Sequence, residues 1–122
     1  MKRLALTLVI IMATAGQAFA IWQLYKEDSK VVANFNYDSF APFRGKPSVW
    51  VKWQYITPMN GVAGKKLQFT ADCSARKLFE IAVIPFDADG NYLQPNEHLD
   101  APTEYPLTPG SLNEATYNLL CH

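Results

Sequence analysis

Apolar and polar residues alternate with a period of two in three segments of the sequence, at residues 30–37, 48–56 and 66–73. Successive side chains of a β-strand point to opposite faces, so this period is typical of strands that bury one face. In 48–56, for example, Val49, Val51 and Trp53 fall on one face, while Trp50 and Lys52 fall on the other. The alternation therefore predicts a sheet with one apolar face, to which Cys73 in the third segment also belongs.

The remaining segments complete a mostly β pattern. Residues 77–86 are apolar on both parities, which predicts a central strand, and residues 21–25 predict a short first strand. Turns are predicted at 60–64 and at 87–91, the second leading into a hairpin strand at 92–94. Residues 40–47 are predicted to be a connecting loop. The segment 95–109 contains four prolines and is predicted to be irregular surface structure.

The C-terminal residues predict a helix. Ser111 followed three positions later by Glu114 has the spacing of a reciprocal capping box, and the apolar stripe consists of Leu112, Ala115 and Leu119. In an unbroken helix Cys121 would lie nearly opposite Leu112. We therefore expect either that the last turn loosens before Cys121 or that the helix buries more than one side.

Residues 1–20 have the features of a secretory signal peptide: Lys2 and Arg3, then an apolar run, then the small-residue cleavage site at 18–20. Residues 21–122 would then form one mature domain, with no integral membrane segment and no N-terminal cysteine for a lipid anchor. In an oxidising compartment the only two cysteines, Cys73 and Cys121, are expected to pair, although two free thiols or a metal pair are the alternatives. The closed loop would be worth about 4 kcal/mol of chain entropy.

No other constellation in the sequence predicts catalysis, a cofactor or a metal. Loss of the leader leaves a net charge of about −2, which gives no drive toward nucleic acid. Residues 87–91 are rich in oxygen ligands, but Gly90 at the sixth position of a calcium loop would leave two essential carboxylates missing, so we predict a hairpin turn. His98 and His122 lack ligand spacing. Asp72 and Glu80 could pair across neighbouring strands, yet nothing in the sequence brings them together.

Several of these elements, in this order, resemble the surface-adhesin protein E family of exported Gram-negative proteins. They are the strand 49–53, Lys65 and Lys66 leading into 71–73, Arg76, the turn at 89–90, and 109–114 followed by Cys121, and together they span most of the mature chain. The resemblance implies an α+β, mostly β fold, in which an antiparallel sheet of about six strands carries a C-terminal helix tied by the disulfide to its concave face. It allows a homodimer. It also implies adhesion to a protein partner such as host extracellular matrix, although founding members carry a lipid anchor that this sequence lacks.

The sequence thus predicts a non-enzymatic binding protein of the periplasm or cell surface. Trp50, a tryptophan among polar neighbours, would be a dimer contact or a partner anchor, unless Arg44 or loop residues cover it. Four lysines, at 46, 52, 65 and 66, could form a basic edge suited to acidic glycans or simply a solvated sheet edge. The candidate partner-binding residues are Trp50, Lys52, Lys65, Lys66, Tyr92 and Tyr105. A periplasmic hydrolase inhibitor and a structural or assembly component of the envelope are the alternative functions.

Overall fold

A computed structural model of the chain describes residues 21–122, so the leader predicted for residues 1–20 lies outside the described residues. The strands are β1 (Trp22–Glu27), β2 (Val31–Asn36), β3 (Ala41–Phe43), β4 (Lys46–Met59), β5 (Val62–Asp72), β6 (Lys77–Phe86), β7 (Asn96–Glu97) and β8 (Thr103–Tyr105), and helix α1 spans Leu112–Leu120. A single 3₁₀ turn, Tyr37–Ser39, follows β2. The predicted mostly β fold with one C-terminal helix is confirmed.

The sheet formed by residues 21–122 is antiparallel and six positions wide. Its order is β1-β2-β4-β5-β6-β7, and β3 and β8 lie beside β4 and β6. On one side of β4, residues 51–55 pair with β2 and residues 46–48 pair with β3. β2 and β3 therefore occupy the same position in the sheet order. Likewise β7 and β8 pair with successive parts of β6. Eight strands therefore fill six positions, where the resemblance implied a sheet of about six strands.

Two segments predicted to lack strands were predicted wrongly. Residues 40–47 contain β3, which turns through Arg44 and Gly45 directly back into β4. Both turn residues have positive φ, 51° and 80°, as a two-residue hairpin turn requires. Residues 95–109 contain β7 and β8, which pair with the outer side of β6. Strands of two or three residues between prolines show no alternation, and the pairing that β6 offers decides their conformation.

The hairpin between β4 and β5 explains why both strands are longer than predicted. Asn60 and Gly61 form a two-residue turn with φ of 51° and 79°, and Met59 pairs with Val62 across it. At Gly64 a β-carbon would lie 2.4 Å from the Trp53 carbonyl oxygen and 2.5 Å from a carbon of the Phe86 ring. Only glycine fits there, because the backbone of β4 and the Phe86 ring close on the same point. By contrast, the predicted strand 77–86 coincides with β6.

The core lies between one face of the sheet and helix α1. Its buried members are Ala33, Val49, Val51, Trp53, Leu67, Phe69, Ala71, Leu78, Tyr117 and Leu120. The inward parity predicted for β4 and β5 is confirmed by this set. On the helix the fully buried side chains are Thr116, Tyr117 and Leu120, whereas Leu112, Ala115 and Leu119 are half-buried. The predicted stripe missed Thr116 because a threonine is buried only where its hydroxyl finds partners.

Helix α1 begins and ends as its sequence requires. Ser111 Oγ accepts a hydrogen bond from the N–H of Glu114 at 3.2 Å, and the Glu114 carboxylate accepts one from the N–H of Gly110 at 2.9 Å. The return bond of the predicted capping box thus falls one residue before the cap. The helix ends at Leu120, and Cys121 has extended backbone angles of −128° and 120°. The predicted loosening before Cys121 is confirmed.

The turn between β5 and β6 holds the helix against the sheet. Cys73, directly after β5, is joined to Cys121 by a disulfide with a Cα–Cα distance of 5.5 Å. The Tyr117 hydroxyl donates to the Cys73 carbonyl oxygen at 3.2 Å, and the Arg76 guanidinium lies 3.4 Å from the Glu114 carboxylate. The predicted covalent bridge is confirmed, and two noncovalent contacts act at the same place.

A chain of buried hydroxyl groups links the sheet to the helix. Trp53 Nε1 donates to Tyr25 Oη at 2.8 Å, and Tyr25 Oη lies 2.9 Å from Thr116 Oγ1. Because the Thr116 hydroxyl donates its only proton to the Leu112 carbonyl oxygen, Tyr25 must donate to Thr116. Each hydroxyl is thus both donor and acceptor. Burial disfavours the phenolate and raises the pKa of Tyr25 to about 12, although its hydrogen bonds to Thr116 and Trp53 oppose the rise.

We expect Tyr25→Phe to lower the free energy of unfolding by about 1–3 kcal/mol, since it leaves the buried Trp53 N–H without an acceptor. The stability that neutral Tyr25 provides is fully present below its ordinary pKa of about 10 and is lost as pH rises through 12. The variant should therefore lose less stability than the wild type between these pH values, as measured by urea unfolding. Tyr37→Phe, at a residue 58% exposed, is the matched control. Equal effects of the two substitutions would contradict the role given to Tyr25.

Candidate functional site

The face of the sheet opposite the helix carries aromatic and basic side chains. Along β4 the buried residues Val49, Val51 and Trp53 alternate with Trp50 and Lys52, which are half-buried. This is the parity that the sequence predicted. The register places Gln68 of β5 opposite Trp50, and Lys66 of β5 opposite Lys52.

Two aromatic residues from distant parts of the chain join this group. The Lys52 ammonium nitrogen lies 4.6 Å from the centre of the Trp22 ring. The Lys66 nitrogen lies 5.8, 5.7 and 5.3 Å from the ring centres of Trp22, Trp50 and Tyr92, within the range of cation–π attraction. It also donates to Tyr92 Oη at 3.4 Å. We call Trp22, Trp50, Lys52, Lys66 and Tyr92 the aromatic–lysine face.

A rigid turn positions Tyr92. Asp87 Oδ1 accepts hydrogen bonds from the N–H groups of Asp89 and Asn91, at 3.0 and 2.9 Å, and the Asp87 N–H donates to the Asn91 carbonyl oxygen at 2.9 Å. The predicted turn at 87–91 is confirmed, but the hairpin strand predicted after it is reduced to one bridge between Phe86 and Tyr92. Because Asp87 serves the backbone of its own turn, it acts as a structural residue. Residues 21–122 contain no group of three His, Cys, Asp or Glu side chains able to hold a metal ion.

A cleft of about 240 Å³ lies beside the aromatic–lysine face. The side chains that line it with polar groups are Lys52, Gln54, Lys66, Asp87 and Tyr92, and Ala63 and Phe86 form its apolar part. Across residues 21–122 neither Lys52 nor Lys66 lies within ion-pair distance of a carboxylate. The cleft therefore presents two ammonium groups without a direct ion pair in residues 21–122, together with one carboxylate, that of Asp87.

Arg44, which together with loop residues was considered as a cover for Trp50, makes its own contacts with Phe43 and Asp100. The Arg44 guanidinium lies 5.0 Å from the centre of the Phe43 ring and 3.6 Å from the Asp100 carboxylate. The backbone N–H of Trp50 donates to Ser39 Oγ at 2.9 Å, so the 3₁₀ turn fixes this point of the strand. The indole ring of Trp50 remains half-buried on the open face of the sheet.

The four lysines considered as a basic edge or as a solvated sheet edge do not lie together. Lys65 is opposite Trp53 in the register and so belongs to the helix side of the sheet. Lys46 lies 3.4 Å from the Asp72 carboxylate, whose pKa is lowered first by the Ala75 N–H, then by the Ser74 hydroxyl and Lys46. Only Lys52 and Lys66 stand side by side. The structure thus places Lys65 on the other side of the sheet from Trp50, Lys52 and Lys66.

Tyr105 also lies away from the aromatic–lysine face. Its ring packs edge-on against Phe69 and Trp53, at 5.2 and 6.3 Å between ring centres, on the core side of the sheet. Its hydroxyl donates to the buried carboxylate of Glu80. Burial, and then the nearby carboxylate, raise the pKa of Tyr105 well above its ordinary range. In the isolated domain Tyr105 therefore fastens β8 to the core.

Glu80 receives a second neighbour from the same segment. His98 Nε2 lies 2.8 Å from a Glu80 carboxylate oxygen, but without the alignment of a hydrogen bond, so this contact is an ion pair only when the imidazole is protonated. Glu80 is thus engaged by two side chains of the 95–109 segment. Asp72, the carboxylate considered as its partner, pairs with Lys46 instead. The cluster holds the segment against β6.

Sequence analysis missed Trp22. Its position on the open face follows from the pairing of β1 with β2, in which Trp22 is opposite Asn36 and Leu24 is opposite Asn34. The available signal was the parity within 21–25, where Trp22 and Leu24 alternate with Gln23 and Tyr25. A strand of six residues gives that signal little weight, and a bulge between Leu24 and Lys26 interrupts it.

Comparisons of the chain with protein-family models, with curated proteins and with solved structures found no match. Within residues 21–122 there is also no helix long and apolar enough to cross a membrane.

Proposed function

We propose that this protein is a non-enzymatic binding protein of the bacterial envelope, similar in role to the surface-adhesin protein E family, and that it recognises a protein partner. The aromatic–lysine face is the proposed binding surface. The observation that carries the proposal is the set of three aromatic rings, from Trp22, Trp50 and Tyr92, gathered around one lysine on the side of the sheet that the helix leaves open.

This arrangement is suited to protein recognition for physical reasons. Tryptophan and tyrosine give large contact areas at a small cost in side-chain entropy, and they are frequent among the residues that dominate binding energy. Tyr92 is 61% exposed. Leu24, which lies on the same side of β1 as Trp22, is 55% exposed. Isolated exposed apolar residues are ordinary on protein surfaces, but aromatic rings that converge on one lysine form a patch. A host extracellular-matrix protein is the kind of partner that we propose.

Site-specific photo-crosslinking in the producing cells, with and without added extracellular matrix, tests this function. A benzophenone amino acid placed at Gln54, which lines the cleft, should give a discrete covalent adduct with a partner protein. The matched control carries the same group at Asn118, an exposed polar residue of α1 on the other side of the sheet. Trp50→Ala should reduce the Gln54 adduct about tenfold or more, as loss of a dominant contact does. Absence of an adduct from Gln54, or equal adducts from both positions, would contradict the proposal.

A further inference from the structure

The two lysines of the aromatic–lysine face occupy an unfavourable arrangement within the isolated domain. Lys52 and Lys66 are direct cross-strand neighbours in the β4–β5 register. Like charges at directly opposed positions of an antiparallel pair repel and destabilise it. Among the described residues no carboxylate lies within ion-pair distance of either ammonium group. The aromatic rings offset part of this repulsion, because each ammonium lies over at least one ring.

The cleft beside these lysines is rich in hydrogen-bond donors. Lys52, Lys66, the Gln54 amide and the Tyr92 hydroxyl all line it. Asp87 is the one acidic residue of the lining, and its Oδ1 atom already accepts two backbone N–H groups. The lining therefore carries two positive charges and one negative charge, and the hydrogen bonds of the turn fix the position of that negative charge. An incoming carboxylate would relieve the lysine repulsion and would form charge-assisted hydrogen bonds with the two ammonium groups.

The extent of the charge indicates which kind of anion fits. A long sulfated or carboxylated polysaccharide needs basic residues spread along its path. Of the four lysines considered in the sequence, Lys65 lies on the opposite face and Lys46 is paired with Asp72, so Lys52 and Lys66 are the two that line the cleft. The adjoining turn adds the acidic residues Asp87 and Asp89. The surface is therefore matched to one or two carboxylates between apolar contacts.

The sheet edge next to the face favours an extended peptide. Strand β1 carries Trp22 and is the first strand in the sheet order, so within residues 21–122 no strand pairs with its outer side. The unpaired N–H and C=O groups of such an edge can bind another strand. The Trp22 side chain reaches across β2, so that its ring lies against the Lys52 ammonium group of β4 and connects the edge strand with the lysines.

We infer that the aromatic–lysine face binds an extended acidic segment of the partner protein, whose Asp or Glu carboxylates contact Lys52 and Lys66. This inference rests on the proposed function and specifies the chemistry of the partner. The aromatic rings of Trp50 and Tyr92 would contact apolar atoms beside those carboxylates. The lysine pair destabilises the isolated domain, and the inference gives it a role, because the two lysines would bind the partner's carboxylates.

Selection from a random twelve-residue peptide library displayed on phage tests the inference. Peptides selected by the wild-type protein should be enriched in Asp and Glu, and the enrichment should disappear with the Lys52→Gln/Lys66→Gln double variant. Lys65→Gln removes the neighbouring lysine on the opposite face and is the matched control, so its selected peptides should remain acidic. Lys66→Arg keeps the charge and should also retain the preference. Melting temperatures of the three variants that are no lower than that of the wild type would show that each is folded.

Affinity measurements give the size of the effect. A selected acidic peptide should bind the wild type about tenfold or more tightly than the same peptide with its Glu and Asp residues replaced by Gln and Asn. Added salt should reduce this difference in affinity. Absence of acidic enrichment, or equal loss of it in Lys65→Gln, would overturn the inference. So would tighter binding of a heparin-derived oligosaccharide than of any acidic peptide. If the Gln54 adduct persists in the double variant, the proposed function stands and the acidic-segment inference fails.

Discussion

Replacement of both Cys73 and Cys121 with serine is expected to lower the melting temperature by roughly 15–30 °C. The bridge closes a loop with a sequence separation of 48, whose constraint on the unfolded chain is worth about 4 kcal/mol. In a domain of about 100 residues each kcal/mol corresponds to roughly 4–8 °C. The nine-residue helix α1 is too short to be stable alone, so its circular dichroism signal should be lost with the rest of the fold.

The reduced wild-type protein provides the control for this prediction. In the presence of a thiol reductant it should melt close to the double variant, while the melting temperature of the double variant should not respond to the reductant. Two noncovalent contacts between helix α1 and the β5–β6 turn remain after reduction: the Tyr117 hydroxyl with the Cys73 carbonyl, and Arg76 with Glu114. Some helix should therefore persist at low temperature. A double variant that melts within a few degrees of the oxidised wild type would show that the bridge contributes little.

Strands that combine length with a periodic pattern could be predicted from the sequence. Strand β6 coincides with its predicted bounds, because apolar side chains on both parities occur only where both faces are covered. In β4 the alternation of Val49 and Val51 with Trp50 and Lys52 correctly gave the inward and outward faces. The helix start was also predictable, since the Ser111 cap acts over three residues and needs no tertiary contact.

Elements that depend on distant partners could not be predicted. Strands β3, β7 and β8 exist because β4 and β6 offer free edges to them, and their own two or three residues carry no periodic signal. Thr116 looked polar, yet it is fully buried because Tyr25, 91 positions away, donates to its hydroxyl. Sequence reasoning has no access to a contact of this kind.

The candidate site shows the same division. Trp50 and Lys52 could be placed on the open face from parity within one strand. The meeting of Trp22, Lys66 and Tyr92 requires the register of several strands and the turn at 87–91, which no local pattern encodes. Lys65 shares the parity of Leu67 and Phe69, so the alternation in this strand already indicated the opposite side. Tyr105 lies in a strand of three residues with no periodic signal, and its place on the core side could not be predicted.

Trp53→Ala is expected to lower the free energy of unfolding by about 3–5 kcal/mol. The Trp53 side chain is only 7% exposed and packs against Phe69 with 5.5 Å between ring centres. The substitution also removes the N–H that donates to Tyr25 Oη, so it leaves a cavity and an incomplete hydrogen-bond chain at the same place. Urea unfolding followed by circular dichroism measures this loss without depending on tryptophan fluorescence.

Trp50→Ala is the matched control, because it deletes the same side chain from the other face of the same strand. Its indole ring is half-buried and contacts the Lys66 ammonium, so its removal should cost no more than about 1 kcal/mol of stability. The yield of the Gln54 crosslinked adduct should depend on Trp50 rather than on Trp53. Trp50→Ala should lower this yield, and Trp53→Phe, which keeps an aromatic ring in the core, should leave it unchanged. Equal destabilisation by Trp50→Ala and Trp53→Ala would mean that both faces of β4 are core. The open aromatic surface on which the proposed binding depends would then not exist.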